Sequence, residues 1–233
     1  MNICISDEVF SRFPNYRRGL VIARCIRNGA APDELTAALR AAESTLAGQL
    51  TPENLISQPR IEAWREAYRA LGVKPSEYRP SVEALARRVL KHDPLPAINT
   101  VVDMGNLVSI QHLVPVGAHA IDVLQGDMEL RLASGAETFE PFGSDAVEHP
   151  NPGEIVFVEG NTVLTRRWTW RQAKHTLVVP ETTAIEFNVD ALPPVSDGEV
   201  ERICIEVSAL LQKYCGGETC QALLSRNNPT LAL

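Results

Sequence analysis

The chain has 233 residues, 45% of them apolar and 22% charged, with a formal net charge of −7. That is enough chain to bury a core in one large domain or two small ones, and too apolar for a disordered protein. The acidic balance argues against an extended nucleic-acid surface such as a DNA-binding face, which needs a basic patch to meet phosphates. It leaves open a shallow pocket for the end of an RNA.

The N-terminal segment MNICISDEVF lacks a basic start and an apolar core, so no secretory signal is expected. Asn2 to Phe10 alternates loosely and predicts a short strand, broken by Pro14. Gly19 to Ile26 (GLVIARCI) is apolar and β-branched, which predicts a buried strand. After the Asn28-Gly29 turn signal, Leu35, Ala38, Leu39, Ala42 and Leu46 share one face of a helix over Asp33 to Ala47. A second helix, Arg60 to Leu71, carries Ile61, Trp64, Tyr68 and Leu71 inward. A third, capped by Ser81, carries Val82, Leu85, Ala86 and Val89.

The stiff linker Asp93-Pro94-Leu95-Pro96 leads into INTVVDMGNLVSIQHLVPVG, where a helix is predicted over Val101 to Gln111. Here polar Asn99, Asp103, Asn106 and Ser109 sit among apolar neighbours. They form either a buried network that fixes the backbone or the wall of a pocket, because unpaired polar groups are costly in such a setting. Strands follow at Met128 to Ala133, Glu154 to Glu159, Thr162 to Arg167, His175 to Val179 and Thr183 to Val189, punctuated by Gly-containing turns. A final amphipathic helix spans Glu199 to Tyr214, and the polar tail from Cys215 to Leu233 is expected to be partly mobile. Helices in the first half and strands in the second predict an α+β fold, helices on a mostly antiparallel sheet, rather than βαβ winding. No apolar run is long enough to span a bilayer, so no membrane partner is expected.

No nucleophile elbow, P-loop, dinucleotide fingerprint or HExxH stands in the chain. The five histidines have no metal-ligand spacing, and the five cysteines include no CxxC pair, as in reduced thiols of a cytoplasmic protein. No cofactor is implied. The densest cluster is Thr165-Arg166-Arg167-Trp168-Thr169-Trp170-Arg171-Gln172. On a continuous strand, Arg167, Thr169 and Arg171 would share one face, and Arg166, Trp168 and Trp170 the other. Such a cluster either lines a pocket that stacks on a base or clamps a carboxylate or phosphate, or it is a cation–π ladder on a sheet surface.

The segments YRPSVEALARRVL, LPAINTVVDMGNLVSIQHLVPVGA, LRLASGAETFEPFG, PGEIVFVE and TRRWTWRQAKHT resemble the B3/B4 domain, from about Tyr78 to Leu192. This is the editing module of the phenylalanyl-tRNA synthetase β subunit, which also occurs as free-standing proteins. The free-standing branch is similar over the whole chain. The resemblance implies a single domain over 1–233: an N-terminal part (1–77), an editing-like core (78–192) and a C-terminal helix (197–215). It implies a pocket between the central helical stretch and the sheet, the 3′ end of an aminoacyl-tRNA as partner, and ester hydrolysis by a positioned water.

Three positions depart from the synthetase pattern. Gly117 stands for a histidine, Gly105 for a threonine, and Asn188 for a glutamate. The groups that would recognise a tyrosine hydroxyl are therefore mostly absent, and the pocket is expected to take a different aminoacyl group, with Arg167 or Arg171 favouring an acidic or carboxamide side chain. Glu137 and Asn106 are the expected catalytic residues. Asp103, Ser109, Arg167, Trp168, Trp170, Arg171 and Asn188 are the expected substrate-binding residues. Asp103 has the plainer alternative of capping the turn near Gly105. The competing expectation is a binding protein for a free amino acid or related metabolite, without catalysis.

Overall fold

A computed structural model of the chain describes residues 1–144 and 146–233. The GLVIAR run forms strand β2 (Arg17–Arg24), as its β-branched apolar residues predict. Ahead of it lie β1 (Asn2–Ile5) and α1 (Asp7–Arg12). The single strand expected over Asn2 to Phe10 is thus a strand followed by a helix, with Asp7 and Glu8 in the helix's first turn, where acids suit the dipole. Helices α2 (Asp33–Gln49), α3 (Pro59–Ala70), α4 (Ser81–Leu90) and α5 (Thr100–His112) follow. Then come β3 (Val116–Ala120), β4 (Met128–Leu132), β5 (Ile155–Glu159), β6 (Thr162–Arg166), β7 (Arg171–Gln172), β8 (Ala184–Ala191), α6 (Asp197–Tyr214), β9 (Glu218–Leu224) and β10 (Thr230–Ala232).

The fold is α+β, with two sheets where one was expected. One is a mixed six-stranded sheet in the order β10-β1-β4-β5-β6-β7, in which β1 and β4 run parallel. The other is an antiparallel four-stranded sheet in the order β3-β8-β2-β9. The sheets face each other, and helices cover the far side of the four-stranded one. Ile185, Phe187 and Val189 of β8 pack with Val21 and Ala23 against α2, α4, α5 and α6. On the other face, Leu20 and Ile22 of β2 pack against Ile3, Leu130, Phe157, Leu164 and Trp168 of the six-stranded sheet and its edge. The two faces of one strand therefore belong to two cores.

The tail is not loose. Strand β9 pairs with β2, and β10 pairs with β1, so the tail reaches both sheets. One side of β9 is exposed, which gives it the mixed polarity of a loop, while Leu224 at its end is buried. His175 to Val179 forms no strand. It is an irregular segment whose Thr176 carbonyl accepts from the Ala120 N–H at 3.0 Å. Helix α4 begins after Pro80 with no side-chain cap. Ser81 instead donates its backbone N–H to the Thr169 carbonyl at 3.0 Å, which ties the start of α4 to the turn after β6.

Helix α6 approaches β2 closely at Gly19. A Cβ there would lie 2.6 Å from Val200 Cγ1 and closer still to Cys204 Sγ, so the helix rests directly on the strand backbone. Gly19→Ala should destabilise the fold by about 1–3 kcal/mol through overpacking, measured by urea unfolding. An unchanged midpoint would show that α6 has slack at this contact.

Candidate functional site

Strand β8 reads Ala-Ile-Glu-Phe-Asn-Val-Asp-Ala, and every residue in it is buried. Strict alternation sends Ile185, Phe187 and Val189 to the helices and Glu186, Asn188 and Asp190 into the space between the sheets. Register places Arg18 of β2 beside Asp190, and Gly117 and His119 of β3 beside Asn188 and Glu186. Arg18 is 1% exposed and holds Asp190 through Nε–Oδ1 at 2.9 Å and Nη2–Oδ2 at 3.4 Å. Tyr16 donates its hydroxyl to the same carboxylate, and Asn188 Nδ2 donates to Asp190 Oδ2 at 2.7 Å. Burial alone would lower the Arg18 pKa, but Asp190 outweighs it and holds the guanidinium charged. The result is a buried polar row with a fixed ion pair at one end.

The opposite wall comes from the RRWTWRQ cluster, and it is not a continuous strand. Arg167 and Trp168 take left-handed backbone conformations, at φ 46° and 65°, so the chain turns between β6 and β7 and the expected two-face alternation fails. Trp168 drops into the core, with ring centroids 4.8 Å from Phe13, 4.8 Å from Tyr16 and 5.0 Å from Trp64. It is packed on all sides and has no free face for a base. Arg166 meets Glu154 with two bonds of 2.9 Å. Arg167 lies over the Tyr78 ring at 3.7 Å and the Trp170 ring at 4.6 Å. Trp170, Arg171 and Gln172 then run along the edge of an open cleft.

The cleft has about 120 Å³ of free space. Arg18, Asn188 and Asp190 line one side with Pro115, Gly117 and His119. Thr165, Thr169, Trp170, Arg171 and Gln172 line the other, with part of Trp168, and Ser81 adds the start of α4. Of the residues expected from sequence, the structure brings Trp168, Trp170, Arg171 and Asn188 to this cleft.

It brings none of the others there. Glu137 anchors a turn after β4, accepting from the Ser134 N–H at 3.0 Å, the Gly135 N–H at 2.9 Å and the Arg131 guanidinium. Burial would raise its pKa, but these donors overcome it and hold the carboxyl at about 2. Asn99 caps α5 by accepting from the Val102 N–H at 3.0 Å, and Asp103 accepts from the Ile98 N–H at 3.0 Å. Ser109 donates to the Val114 carbonyl at 2.7 Å, where α5 ends. These three form the backbone-fixing network rather than a pocket wall. Asn106 is half-buried on α5 and does not line the cleft, and Arg167 lies over Tyr78 and Trp170 and pairs with Glu154 at 3.8 Å, outside the cleft lining.

Sequence reasoning missed Arg18, His119, Thr165, Glu186 and Asp190. The acidic alternation of AIEFNVDA is the only trace of them in the sequence, and it takes the structure to show that both faces of this strand are buried. His119 stands between two hydroxyls, with Nδ1 2.6 Å from Thr176 Oγ1 and Nε2 3.1 Å from Thr165 Oγ1. Burial, aided by Arg18, lowers its pKa to about 3, so the ring is neutral at physiological pH. Among the described residues, no group of three or more His, Cys, Asp or Glu side chains is placed to hold a metal ion. No helix of the described residues is long and apolar enough to cross a membrane.

Glu186 is fully buried, and neither of its carboxyl oxygens has a hydrogen-bond partner among the described residues. Burial raises its pKa to about 7, against the pull of nearby Arg18 and with a push from Asp190. The two buried groups oppose each other in pH. Unfolded His119 binds its proton near 6.5 and the folded ring only near 3, so its contribution to stability falls as pH drops below 6.5. Folded Glu186 keeps its proton to about 7 and the unfolded side chain loses it near 4.5, so its contribution falls as pH rises through that window. Glu186→Gln should therefore gain on the parent protein as pH rises from 4.5 to 7, by at most about 1.4 kcal/mol per unit, and hold a constant advantage above it. Urea unfolding across pH measures this, and an advantage independent of pH would contradict it.

The model of the B3/4 domain family matches residues 63–216, well over half of the chain. Among solved structures, an N-terminal fragment of the phenylalanyl-tRNA synthetase β-subunit from Pyrococcus horikoshii aligns with a TM-score of 0.46 at 10% identity. That alignment covers 93% of this chain and 49% of the fragment, so the chain spans about half the fragment's length. No curated protein matches the chain in sequence. The matched span runs from within α3 to just past α6 and takes in both walls of the cleft apart from Arg18, so the chain belongs to the B3/4 domain family.

Proposed function

We propose that this protein hydrolyses the ester of mischarged aminoacyl-tRNA, acting in trans on the 3′ end of the RNA. The observation that carries this reading is the cleft itself: a partly enclosed space with a polar floor, in a chain of the B3/4 family. The likeness of the RRWTWR and VVDMGNLV segments to the editing module supports it. So does the union of Arg18 from the N-terminal part with Gly117, Trp170 and Asn188 from the core in one cleft.

The chemistry suits such a space. Water is the nucleophile. Its oxygen bonds to the ester carbon, the bond to the ribose oxygen breaks, and a proton from the water ends on that oxygen. The substrate ester is already activated, so positioning and aligned dipoles supply the rate. Thr165, Thr169, Ser81 and Gln172 are the polar side chains along the wall that orient the water and the ester, and Arg171 faces the RNA end at the rim. Trp170 is locked by Tyr78, whose ring meets it edge-on at 4.9 Å, and by Arg167, and it shapes the entrance. His119 stays neutral and steadies Thr165.

The net charge of −7 is not spread evenly. Arg79, Arg87, Arg88 and Lys91 line a groove of about 300 Å³ along α4, with one carboxylate, Asp93. The same helix puts Ser81 into the cleft. This short basic stretch is sized for a few phosphates leading to the 3′ end, not for a long duplex.

A deacylation assay over a panel of mischarged tRNAs tests the reading. Turnover well above the spontaneous rate for at least one of them is expected, and none for any of them would end it. Stabilisation by a free amino acid without any ester turnover would instead support the binding-protein reading. The double variant Arg88→Ala, Lys91→Ala should raise KM for aminoacyl-tRNA several-fold, leave kcat nearly unchanged, and lower the salt dependence of binding by about two phosphate contacts. Unchanged salt dependence would remove the α4 groove from the RNA path.

A further inference from the structure

Three residues that line the cleft have a buried side-chain atom without a partner among the described residues, Arg18 Nη1, Asn188 Oδ1 and Trp168 Nε1, and the first two are complementary. Arg18 uses Nε and Nη2 on Asp190, and its Nη1 is buried without a partner. Asn188 gives its Nδ2 to Asp190 at 2.7 Å, which settles which way the amide faces, and its Oδ1 is buried without a partner. Arg18 is 1% exposed and Asn188 5%, and both residues line the cleft. One is a charged donor, the other a neutral acceptor. Buried polar atoms almost always have partners, and leaving two unpaired in one cleft is costly. Such a pair marks a place where a guest completes the bonding.

Gly117 makes the room. It stands opposite Asn188 in the β3–β8 register, and a Cβ there would lie 3.0 Å from Asn188 Oδ1. A larger residue would crowd the acceptor.

We infer that the cleft selects an aminoacyl group whose side chain ends in a small neutral group that accepts one hydrogen bond and donates another, a hydroxyl or a primary carboxamide. The acceptor of that group meets Arg18 and its donor meets Asn188. An apolar side chain of the same shape leaves both protein atoms unpaired, which is the strongest form of rejection a pocket offers. A carboxylate brings no donor for Asn188 Oδ1 and lies near the fixed anion of Asp190. An ammonium meets the Arg18 charge. The small free space of the cleft favours a guest with a short side chain. Arg18 lies outside residues 63–216, so this donor comes from the N-terminal strand and not from the span that defines the family.

The inference takes its substrate from the deacylase reading, yet its test needs no turnover. Amide-linked 3′-aminoacyl adenosines cannot be hydrolysed, and calorimetry gives their binding to the full chain. The threonyl analogue should bind at least tenfold more tightly than its valyl isostere, or the asparaginyl analogue than the leucyl one. Whichever pair discriminates tells a hydroxyl guest from a carboxamide guest, and the aspartyl analogue should bind no better than the leucyl one. Gly117→Ala and Asn188→Ala should each erase the discrimination within the pair that shows it. Where a variant melts early, the pairs measured on the parent protein still decide. Equal affinity within both pairs, tighter binding of the apolar members, or no binding at all overturns the inference. Discrimination without ester turnover would sink the deacylase reading and leave this one standing, and turnover of esters regardless of side chain would do the reverse.

Discussion

The contact between Arg18 and Asp190 is the constraint on which the site depends. Two charges removed from water cost several kcal/mol each and recover it only when geometry and further hydrogen bonds are good. Here the carboxylate takes Arg18, Tyr16 and Asn188 together. The guanidinium in turn lies 4.4 Å from the Phe157 ring centroid of the facing sheet. The pair thus joins β2 to β8 within one sheet and steadies the approach of the other. It also spends the polar capacity of its members unevenly. What Asp190 cannot use, Arg18 Nη1 and Asn188 Oδ1, stays buried without a partner among the described residues.

The second wall is built by breaking a strand. Two residues with positive φ, Arg167 and Trp168, cost conformational energy that the surroundings must offset. The Trp168 ring supplies much of it by filling the space between Phe13, Tyr16 and Trp64, and the Arg167 carbonyl accepts the Tyr68 hydroxyl at 2.6 Å. The turn frees Trp170 and Arg171 to face the cleft and lets Thr169 receive the Ser81 N–H. A motif dense in arginine and tryptophan is therefore mostly scaffold. Arg166, Arg167 and Trp168 hold the wall, and Trp170 and Arg171 line the cleft.

Much of the architecture was legible in the amino-acid sequence. The helical periodicities of α2, α3 and α6 and the apolar run of β2 each follow from spacing alone. What was not legible depends on contacts between distant segments. Asn99, Asp103 and Ser109 look alike as candidates for a pocket or a cap, and only the positions of the Val102 and Ile98 amides and the Val114 carbonyl decide for the cap. Glu137 looks like a free carboxylate until the turn brings Arg131 and two amides onto it. Asp190 and Glu186 alternate as they would on a solvent-facing strand, and nothing local says that a second sheet covers them. Arg18 is the clearest case: its partner is 172 residues away.

The central claim is that the Arg18–Asp190 pair organises both the packing of the sheets and the cleft. A double-mutant cycle of Arg18→Met and Asp190→Leu, followed by urea unfolding, tests it most directly. Each single change should cost about 3–5 kcal/mol, because it leaves the other charge buried without its counter-charge. The double variant should be less destabilised than the sum of the two. Single variants within about 1 kcal/mol of the parent, or two losses that simply add, would show that the pair does not hold the site together.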